Sequence, residues 1–414
     1  MALITAFKGV RPDEKNAASI ASRPYDVMNV TEARAEVAHL PNSFLRITRS
    51  EVELPIGTDV HSEIIYSTAA SKYQQFKQEK ILIQDASPCL YVYQQTMHGR
   101  TQTGLLCASS LDDYDNNIIK KHEHTRPEKE LDRTLHIQTT LAQTGKVFMT
   151  YKGVESINSI IEKIITTQTA NYDFVAEDGV AHVLWVINDE ATVQLLVQLF
   201  DTEVPATYIA DGHHRAASAN NARKHLRKQN ATHTGTEAYN YFLTVLFPAE
   251  QLQIIDYNRV VKDLNGMTSQ EFIAALQADF EVAVSEHQVR PTKLHEFGLY
   301  IDHTWYVMQA KPHAFASDPI GVLDVSLLQK RVLSELLEIH DPRVDTRVEF
   351  VGGIRGLGEL EKRVDSEEMK AAFSMYPVSL QQLIDIADSG QVMPPKSTWF
   401  EPKLRDGLVV YDIA

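Results

Sequence analysis

An alternation of apolar strands and helices between residues 181 and 229 constrains the fold of this chain most strongly. Ala181 to Ile187 is an apolar run that predicts a strand, and Ala191 to Phe200 has helical spacing. Ala206 to Ala210 predicts a second strand, and an alanine-rich helix is predicted from Arg215 to Gln229. This order of elements is typical of layered α/β and α+β proteins. We therefore predict an α+β fold built from mixed α/β layers.

Local patterns predict further elements on both sides of this segment. Glu63 to Lys80 has the apolar spacing of an amphipathic helix. Leu90 to Ala108 has the pattern of a hairpin with Gly99 at the turn. Tyr241 to Phe247 and Leu252 to Val261 are expected to be paired strands, and a final strand is expected at 407–412.

The length of 414 residues allows two to three domains of ordinary size. Along the chain we distinguish four regions. They are an N-terminal mixed α/β region at 1–115, a core at 116–262, an α+β insertion or subdomain at 263–345, and a C-terminal α/β segment at 346–414 that is expected to complete the site.

The bulk composition narrows the class of protein. A formal net charge of -15 favours solubility and repels nucleic acid. Cys89 and Cys107 lie in apolar runs and are expected to be core residues, and the lack of a Cys-x-x-Cys pair excludes a thiolate zinc site. No apolar run reaches about 18 residues, so no transmembrane helix is expected. The first apolar run is too short for a signal peptide, and we expect a cytoplasmic protein.

The segment Asp211-Gly212-His213-His214-Arg215, here called the DGHHR turn, lies where a predicted strand gives way to a helix. A helix N-terminus directs backbone N–H groups outward, and its dipole attracts anions. Gly212 lets a ligand approach the backbone, and Arg215 can hold a phosphate through two parallel hydrogen bonds. Asp211 could cap the helix, orient a histidine or bind a metal. We interpret the turn as a phosphate site; an Asp-capped surface helix is the simpler alternative.

A second polar cluster, residues 120–126, contains several cations and one carboxylate. The predicted phosphate or nucleotide ligands in it are Lys120, Lys121 and Arg126. Glu123 is the only carboxylate among these cations and is the candidate general base for a hydroxyl group. His122 and His124 are candidate substrate ligands. They could instead share one face of a strand and bind a metal, and the whole cluster could be a solvated loop.

This cluster leads into a well-formed helix start. Thr125 is the expected N-cap, Pro127 suits the first turn, and Glu128 stands at the capping-box position. The helix is expected to run to about Gln143, with Gly145 just past its end.

A third polar segment, residues 393–400, follows two prolines that stiffen the chain. Lys396, Ser397 and Thr398 offer an ammonium group and two hydroxyl groups to a substrate. The glycine spacing of a P-loop is absent, so a plain loop before the last strand is an equal alternative.

Motifs along nearly the whole chain resemble one family of bacterial and archaeal proteins. It is the domain-of-unknown-function family numbered one thousand and fifteen. The motifs are FKGVRPD, RPYDV, KKHEHTRPEKELDRT, YIADGHHRAASA, FVGGIRG and MPPKSTWFEPK. The DGHHR turn also resembles that of archaeal free serine kinases of the ParB/sulfiredoxin-like superfamily. That resemblance implies a ParB/sulfiredoxin-like core with N- and C-terminal elaborations. It also implies that Asp211, His213, His214 and Arg215 contact nucleotide phosphates.

We therefore expect a phosphotransferase that moves a phosphoryl group between a nucleotide and a small hydroxylated metabolite, with free L-serine and phosphoserine as the leading pair. Mg²⁺ with ATP or ADP is the expected cofactor, and Asp211 is its expected protein ligand. In this mechanism Glu123, Asp211, His213 and His214 are the catalytic candidates. The expected partners are small molecules, with neither membrane nor nucleic acid, and a homo-oligomer is compatible with the sequence.

Two other functions remain open at this stage. A metal-dependent phosphatase would use the same anion site with water as the nucleophile. A nucleotide-gated DNA-binding regulator would need a basic stripe, and only the run at 223–228 is locally basic. That run is more simply explained as the solvated face of a helix.

Overall fold

The computed structural model describes residues 1–414, and the chain forms two compact units. The first unit consists of Met1–Lys121, Thr125–Leu252 and Pro402–Ala414, and the second consists of His122–His124 and Gln253–Glu401. The division of the chain into four regions stays a prediction. Helices hold 36% of the residues and strands 25%, and the sheets have mixed orientation, which confirms the predicted mixed α/β class.

The strands are numbered in chain order. They are β1 Ile4–Thr5, β2 Val10–Pro12, β3 Leu82–Gln84, β4 Leu90–Met97, β5 Arg100–Ser110, β6 Ile119–Lys120, β7 Ala142–Gln143, β8 Val147–Tyr151, β9 Tyr172–Val175, β10 Ala181–Ile187, β11 Thr207–Asp211, β12 Tyr241–Pro248, β13 Ile254–Ile255, β14 Tyr257–Val261, β15 Phe280–Ser285, β16 Glu296–Ile301, β17 Thr304–Ala310, β18 Val348–Gly352, β19 Ala371–Met375, β20 Trp399–Phe400 and β21 Tyr411–Asp412.

The α-helices follow the same numbering. They are α1 Ala17–Ile20, α2 Val30–His39, α3 Leu45–Thr48, α4 Glu63–Gln78, α5 Leu111–Asp115, α6 Pro127–Thr140, α7 Glu155–Thr167, α8 Glu190–Glu203, α9 His213–Gln229, α10 Ser269–Leu276, α11 Asp324–Leu328, α12 Leu357–Asp365 and α13 Leu380–Asp388.

The main sheet of the first unit has nine strands in the order β6-β11-β8-β12-β5-β4-β10-β9, with β1 paired to β5 off this path. The pairs β11–β6 and β12–β8 are parallel, and the other ladders are antiparallel. Every residue of β8 is buried, as are all but the first residue of β12, so the sheet centre carries the core. Since β11 lies next to the edge strand β6, the turn after it stands near one side of the sheet.

The second unit is built on an antiparallel sheet of six strands in the order β15-β17-β16-β19-β14-β18. Helix α12 packs on this sheet, and its Leu360 is buried in a cluster with Val260, Tyr300 and Trp305. Helix α13 begins with a capping box, in which the Ser379 hydroxyl accepts from the backbone N–H of Gln382 and the Gln382 side chain accepts from the backbone N–H of Ser379.

Several predicted elements are confirmed, and three are corrected. The hairpin of β4 and β5 turns at Gly99, whose φ of 77° suits glycine, and both cysteines are buried. The strands expected to pair are separate: β12 pairs with β5 and β8, whereas β14 pairs with β18 and β19. The helix predicted to reach Gln143 ends at Thr140, since Leu141 is left-handed and β7 then pairs with β21. The last strand is limited to β21.

A buried glycine allows β5 and β12 to pack closely. A Cβ atom at Gly104 would lie 2.8 Å from Val245 Cγ1 and 2.9 Å from Phe247 Cδ1. We expect Gly104→Ala to lower the free energy of unfolding by about 1–3 kcal/mol, because it overpacks this interface. Gly358→Ala is the control: a Cβ there meets nothing within 4 Å. Chemical denaturation of both variants tests this; equal stability would contradict the packing argument.

Candidate functional site

The DGHHR turn joins β11 to α9. Strand β11 shifts register against β8 between Ile209 and Asp211, which marks a bulge at its end. Gly212 is the N-cap of α9 with φ of 97°, a left-handed conformation that glycine adopts without strain. The helix begins at His213 rather than at the predicted Arg215, so both histidines belong to its first turn. The N-cap residue Gly212 has no side chain that could cap the helix, and the capping role considered for Asp211 stays a prediction.

His214 links the starts of α9 and α6. Its Nε2 atom accepts a hydrogen bond of 2.9 Å from the backbone N–H of Arg126, the N-cap residue of α6. The predicted Thr125 capping box is wrong, because Arg126 is the N-cap residue of α6 and makes no side-chain cap bond, while the Thr125 hydroxyl donates to Glu130. Pro127 does lie at the first position, as predicted. The positive ends of two helices of 14 and 17 residues thus meet at one hydrogen bond.

Arg215 points inward from the turn. The side chain is 8% exposed, and its Nη1 donates to the carbonyl of Lys146. Its Nη2 lies 3.4 Å from Asp26 Oδ2 and 3.9 Å from Asp211 Oδ2. Burial alone would lower the pKa of Arg215, but Asp26, Asp211 and Asp406 raise it above its usual value, so the guanidinium stays charged.

Asp211 is shared between two cations. Its Oδ2 accepts a hydrogen bond of 3.1 Å from the ammonium of Lys403 and lies near Arg215 on its other side. The side chain is 32% exposed, and that of Asp26 is 41% exposed. Arg215 therefore connects two carboxylates that both reach solvent.

Segments distant in sequence support the turn, and the sequence interpretation did not select Lys146 or Asp406 in them. The ammonium of Lys146 is fully buried and donates to the carbonyl of Arg405 over 2.8 Å. Asp406 pairs through its backbone with Ser22, which brings the last residues of the chain beside Tyr25 and Asp26. The only sequence signal was a charged residue next to an apolar run, at Lys146 before β8 and at Asp406 before 407–412.

A small chamber lies behind Arg215. Its volume is about 30 Å³. The residues that line it are Tyr25, Thr48, Arg133, His136, Ile137, Gln143, Thr144, Gly145, Val147, Arg215 and Asp406. Burial raises the pKa of Asp406 to about 6 against the opposing influence of Lys146 and Arg215. Burial, together with Arg133, lowers the pKa of His136 to about 4.

The second unit holds the remaining predicted substrate residues. Glu123 and His124 line a cavity of about 380 Å³ together with Gln329, His340–Arg343 and Met393–Pro395. The backbone N–H of Met393 donates to the carbonyl of His122, and Thr398 Oγ1 lies 3.4 Å from His122 Nε2. The Ser397 hydroxyl donates to the carbonyl of Pro394, and the Lys396 ammonium lies over the ring of Tyr257.

The other predicted cations have different surroundings. Lys120 lies beside Tyr208 in the parallel pair of β6 and β11. The ammonium of Lys121 lies 4.0 Å from the ring centre of Tyr114 and donates to its carbonyl. In the basic run at 223–228, Arg223 is buried and paired with Asp112 and Asp115. The charge of Arg223 is therefore neutralised by two carboxylates within the first unit.

A family model and several solved structures match the chain. The family is described as a protein of unknown function (DUF1015), and its model matches residues 4–326. A conserved hypothetical protein from Pyrococcus furiosus is 14% identical and covers 73% of this chain and 93% of its own, with a TM-score of 0.36. A free serine kinase in complex with AMP is 12% identical and covers 72% of this chain and 86% of its own, with a TM-score of 0.36.

A third structure, SbnI from Staphylococcus aureus with a C-terminal truncation, is 10% identical and covers 73% of this chain and 85% of its own, with a TM-score of 0.37. These likenesses are distant. No curated protein sequence matches the chain. None of its helices has both the length and the apolar character that crossing a membrane requires.

The chamber predicts two opposite effects of acid on stability. The folded pKa of His136 is below its usual 6.5, so the stability it contributes is lost as pH falls towards 4. The folded pKa of Asp406 is above its usual 3.8, so its contribution is present at low pH and lost as pH rises through 6. Each amounts to about 3 kcal/mol at most. Between pH 6.5 and 4 we expect Asp406→Asn to lose stability more steeply than wild type, and His136→Gln less steeply.

Denaturant titrations at a series of pH values measure both slopes. Asp412→Asn is a matched control, because Asp412 pairs with Lys77 outside the chamber. Parallel pH profiles for wild type and both chamber variants would contradict the assignment.

Proposed function

The chain belongs to the DUF1015 family of proteins of unknown function, and we propose that it is a phosphotransferase that moves a phosphoryl group between a nucleotide and a small hydroxylated metabolite. The observation that carries this proposal is the meeting of two helix N-termini, α6 and α9, at the hydrogen bond from Arg126 to His214.

Phosphoryl transfer requires mainly positioning and neutralisation of charge. The first-turn N–H groups of a helix have no acceptor within the helix, and the dipole gives that end a partial positive charge. Two such ends at one point reinforce each other. Arg126, the N-cap residue of α6, is half-buried and adds a cationic residue where the two helices meet. Together these groups provide the fixed positive field that nucleotide phosphates need.

Asp26 and Asp211 are the carboxylates of the first unit that suit a magnesium ion. Both are partly exposed and both approach Arg215 Nη2, so hard oxygen atoms stand on either side of one fixed cation. Mg²⁺ bound to a nucleotide keeps several waters and uses only one or two protein carboxylates. When bound, it would neutralise charge on the phosphate oxygens. Arg215 fixes the orientation of both carboxylates.

The acceptor metabolite is assigned to the cavity of the second unit. A volume of about 380 Å³ is in the range of small-molecule sites, and the lining combines a rigid Met-Pro-Pro wall with polar side chains. Glu123 is proposed to take the proton of the acceptor hydroxyl. In the transfer, the oxygen of that hydroxyl bonds to the terminal phosphorus, and the bond from this phosphorus to the rest of the nucleotide breaks. Free L-serine and phosphoserine are the first pair to assay.

The decisive assay mixes the purified chain with Mg²⁺, serine and either ATP or ADP, and follows phosphoserine by mass spectrometry. The reverse mixture contains phosphoserine with ADP or AMP. Transfer that needs the nucleotide supports the proposal. Phosphate release from phosphoserine without any nucleotide would instead indicate a phosphatase. A protein that binds neither nucleotide, by calorimetry at micromolar to millimolar concentration, would rule out the proposal.

Arg126→Ala tests whether the two helix N-termini bind the nucleotide phosphates. We expect its Kd for ATP or ADP to rise about 10-fold or more, because it removes a cation at the joined helix ends. Arg227→Ala is the matched control: it removes the same charge from the exposed last turn of α9 and should leave the Kd unchanged. Equal affinities for both variants would show that the joined helix ends do not hold the phosphates.

Glu123→Gln tests whether Glu123 is the base for the acceptor hydroxyl. The variant keeps the shape of the side chain and removes the base, so we expect kcat to fall by about 100-fold or more while the nucleotide Kd is unchanged. Glu286→Gln, which alters an exposed carboxylate of the second unit, serves as the control. Steady-state kinetics with wild-type turnover for Glu123→Gln would remove Glu123 from the mechanism.

A further inference from the structure

The chamber behind Arg215 has no step assigned to it in phosphoryl transfer. Two of its lining residues carry buried polar atoms that make no hydrogen bond within the protein, Arg215 Nε and Asp406 Oδ1. One is a donor and the other an acceptor. Both residues are more than nine-tenths buried, with exposures of 8% and 1%. Orphaned groups of this kind cost stability and are usually satisfied by ordered water.

Both side chains lie beside the same glycine, Gly145. An ideal Cβ atom at this glycine would lie 3.3 Å from Arg215 Cδ, 3.7 Å from Asp406 Oδ1 and 3.7 Å from Asp406 Oδ2. Arg215 and Asp406 therefore both border one Cα atom that carries no side chain. The space left open is part of the chamber, whose volume of about 30 Å³ suits one or two waters.

The geometry points to one or two ordered waters in this chamber that bridge Arg215 Nε to Asp406 Oδ1, and to Asp406 as a positioning residue for Arg215. The polar neighbours that such waters need are present, since Thr144, Gln143 and Arg133 also line the chamber. A water makes about three hydrogen bonds in a buried site, which these groups can provide.

The bridge completes the set of contacts that fixes the guanidinium. Nη1 is held by the carbonyl of Lys146, and Nη2 is held between Asp26 and Asp211. Nε is the nitrogen of the group that makes no hydrogen bond within the protein, and the water would attach it to the C-terminal segment through Asp406. If the nucleotide site is as proposed above, this inference deepens it, because Arg215 sets the direction of both partly exposed carboxylates.

Two substitutions of Asp406 distinguish the loss of the bridging water from a loss of folding. Asp406→Asn keeps a hydrogen-bonding oxygen of nearly the same shape, so the water should remain. Asp406→Leu has a similar volume but cannot hydrogen-bond, so the water should be lost and the Arg215 side chain should move. Asp412→Asn in the same C-terminal segment is the control.

The first measurement is a high-resolution crystal structure of the full chain and of each variant. We expect wild type and Asp406→Asn to have water within hydrogen-bonding distance of Arg215 Nε, and Asp406→Leu to lack it. In solution, the Arg215 Nε–H resonance should show a cross-peak to water in wild type that disappears in Asp406→Leu. A dry chamber in wild type, or an ion in place of water, would overturn the inference.

The second measurement is the Kd for ADP by calorimetry. We expect an increase of about 10-fold or more for Asp406→Leu and less than 3-fold for Asp406→Asn, with Asp412→Asn unchanged. Unchanged ADP affinity in a folded Asp406→Leu protein would refute the positioning role. If the wild-type chain binds no nucleotide, the proposed function fails, whereas the crystal structure still decides whether the water bridge exists.

Discussion

The burial of one guanidinium, that of Arg215, governs the arrangement around the DGHHR turn. A charged group removed from water is tolerated only when hydrogen bonds and opposite charges replace its hydration. The chain meets this requirement with the carbonyl of Lys146 and with two carboxylates, Asp26 and Asp211. These partners come from three separate parts of the sequence. The need to compensate one charge therefore brings together the N-terminal segment, the strand β8 region and the turn itself.

The same burial sets the protonation behaviour of the chamber. Lys146 is also fully buried, and burial lowers the pKa of its ammonium to about 8 although Asp406 opposes the shift. Asp406 and His136 are shifted in the directions that disfavour their charged forms. Because one is an acid and the other a base, their contributions to stability have opposite slopes in mild acid and partly cancel. The first unit can therefore hold several buried ionisable groups without a steep dependence on pH in that range.

The sequence predicted the position of the turn but not the direction of its side chains. The apolar run before Asp211 and the alanine-rich stretch after Arg215 locate a strand and a helix by their periodicity. Periodicity says nothing about whether a polar residue in the first helical turn faces solvent or the sheet. The inward direction of Arg215 depends on Lys146, 69 residues away, and the role of His214 depends on Arg126, 88 residues away. The predicted Thr125 cap failed because α6 begins one residue later than the local motif indicates, with Arg126 as its N-cap.

The energetics indicate why such a cluster is retained. Replacement of a buried ionic group by apolar residues of similar size is often neutral or stabilising, so the cluster is poorly explained as a device for stability. What the cluster does provide is a fixed orientation of two carboxylates. Arg215 and Lys403 hold Asp211 from two sides, and Asp26 is held at the same guanidinium, while both carboxylates remain partly exposed. In the proposed magnesium site, carboxylates fixed in this way would lose little entropy on binding a hydrated cation, which is the general benefit of preorganisation. The burial of Arg215 therefore fixes the orientation of two partly exposed carboxylates, and the proposed function would use that orientation.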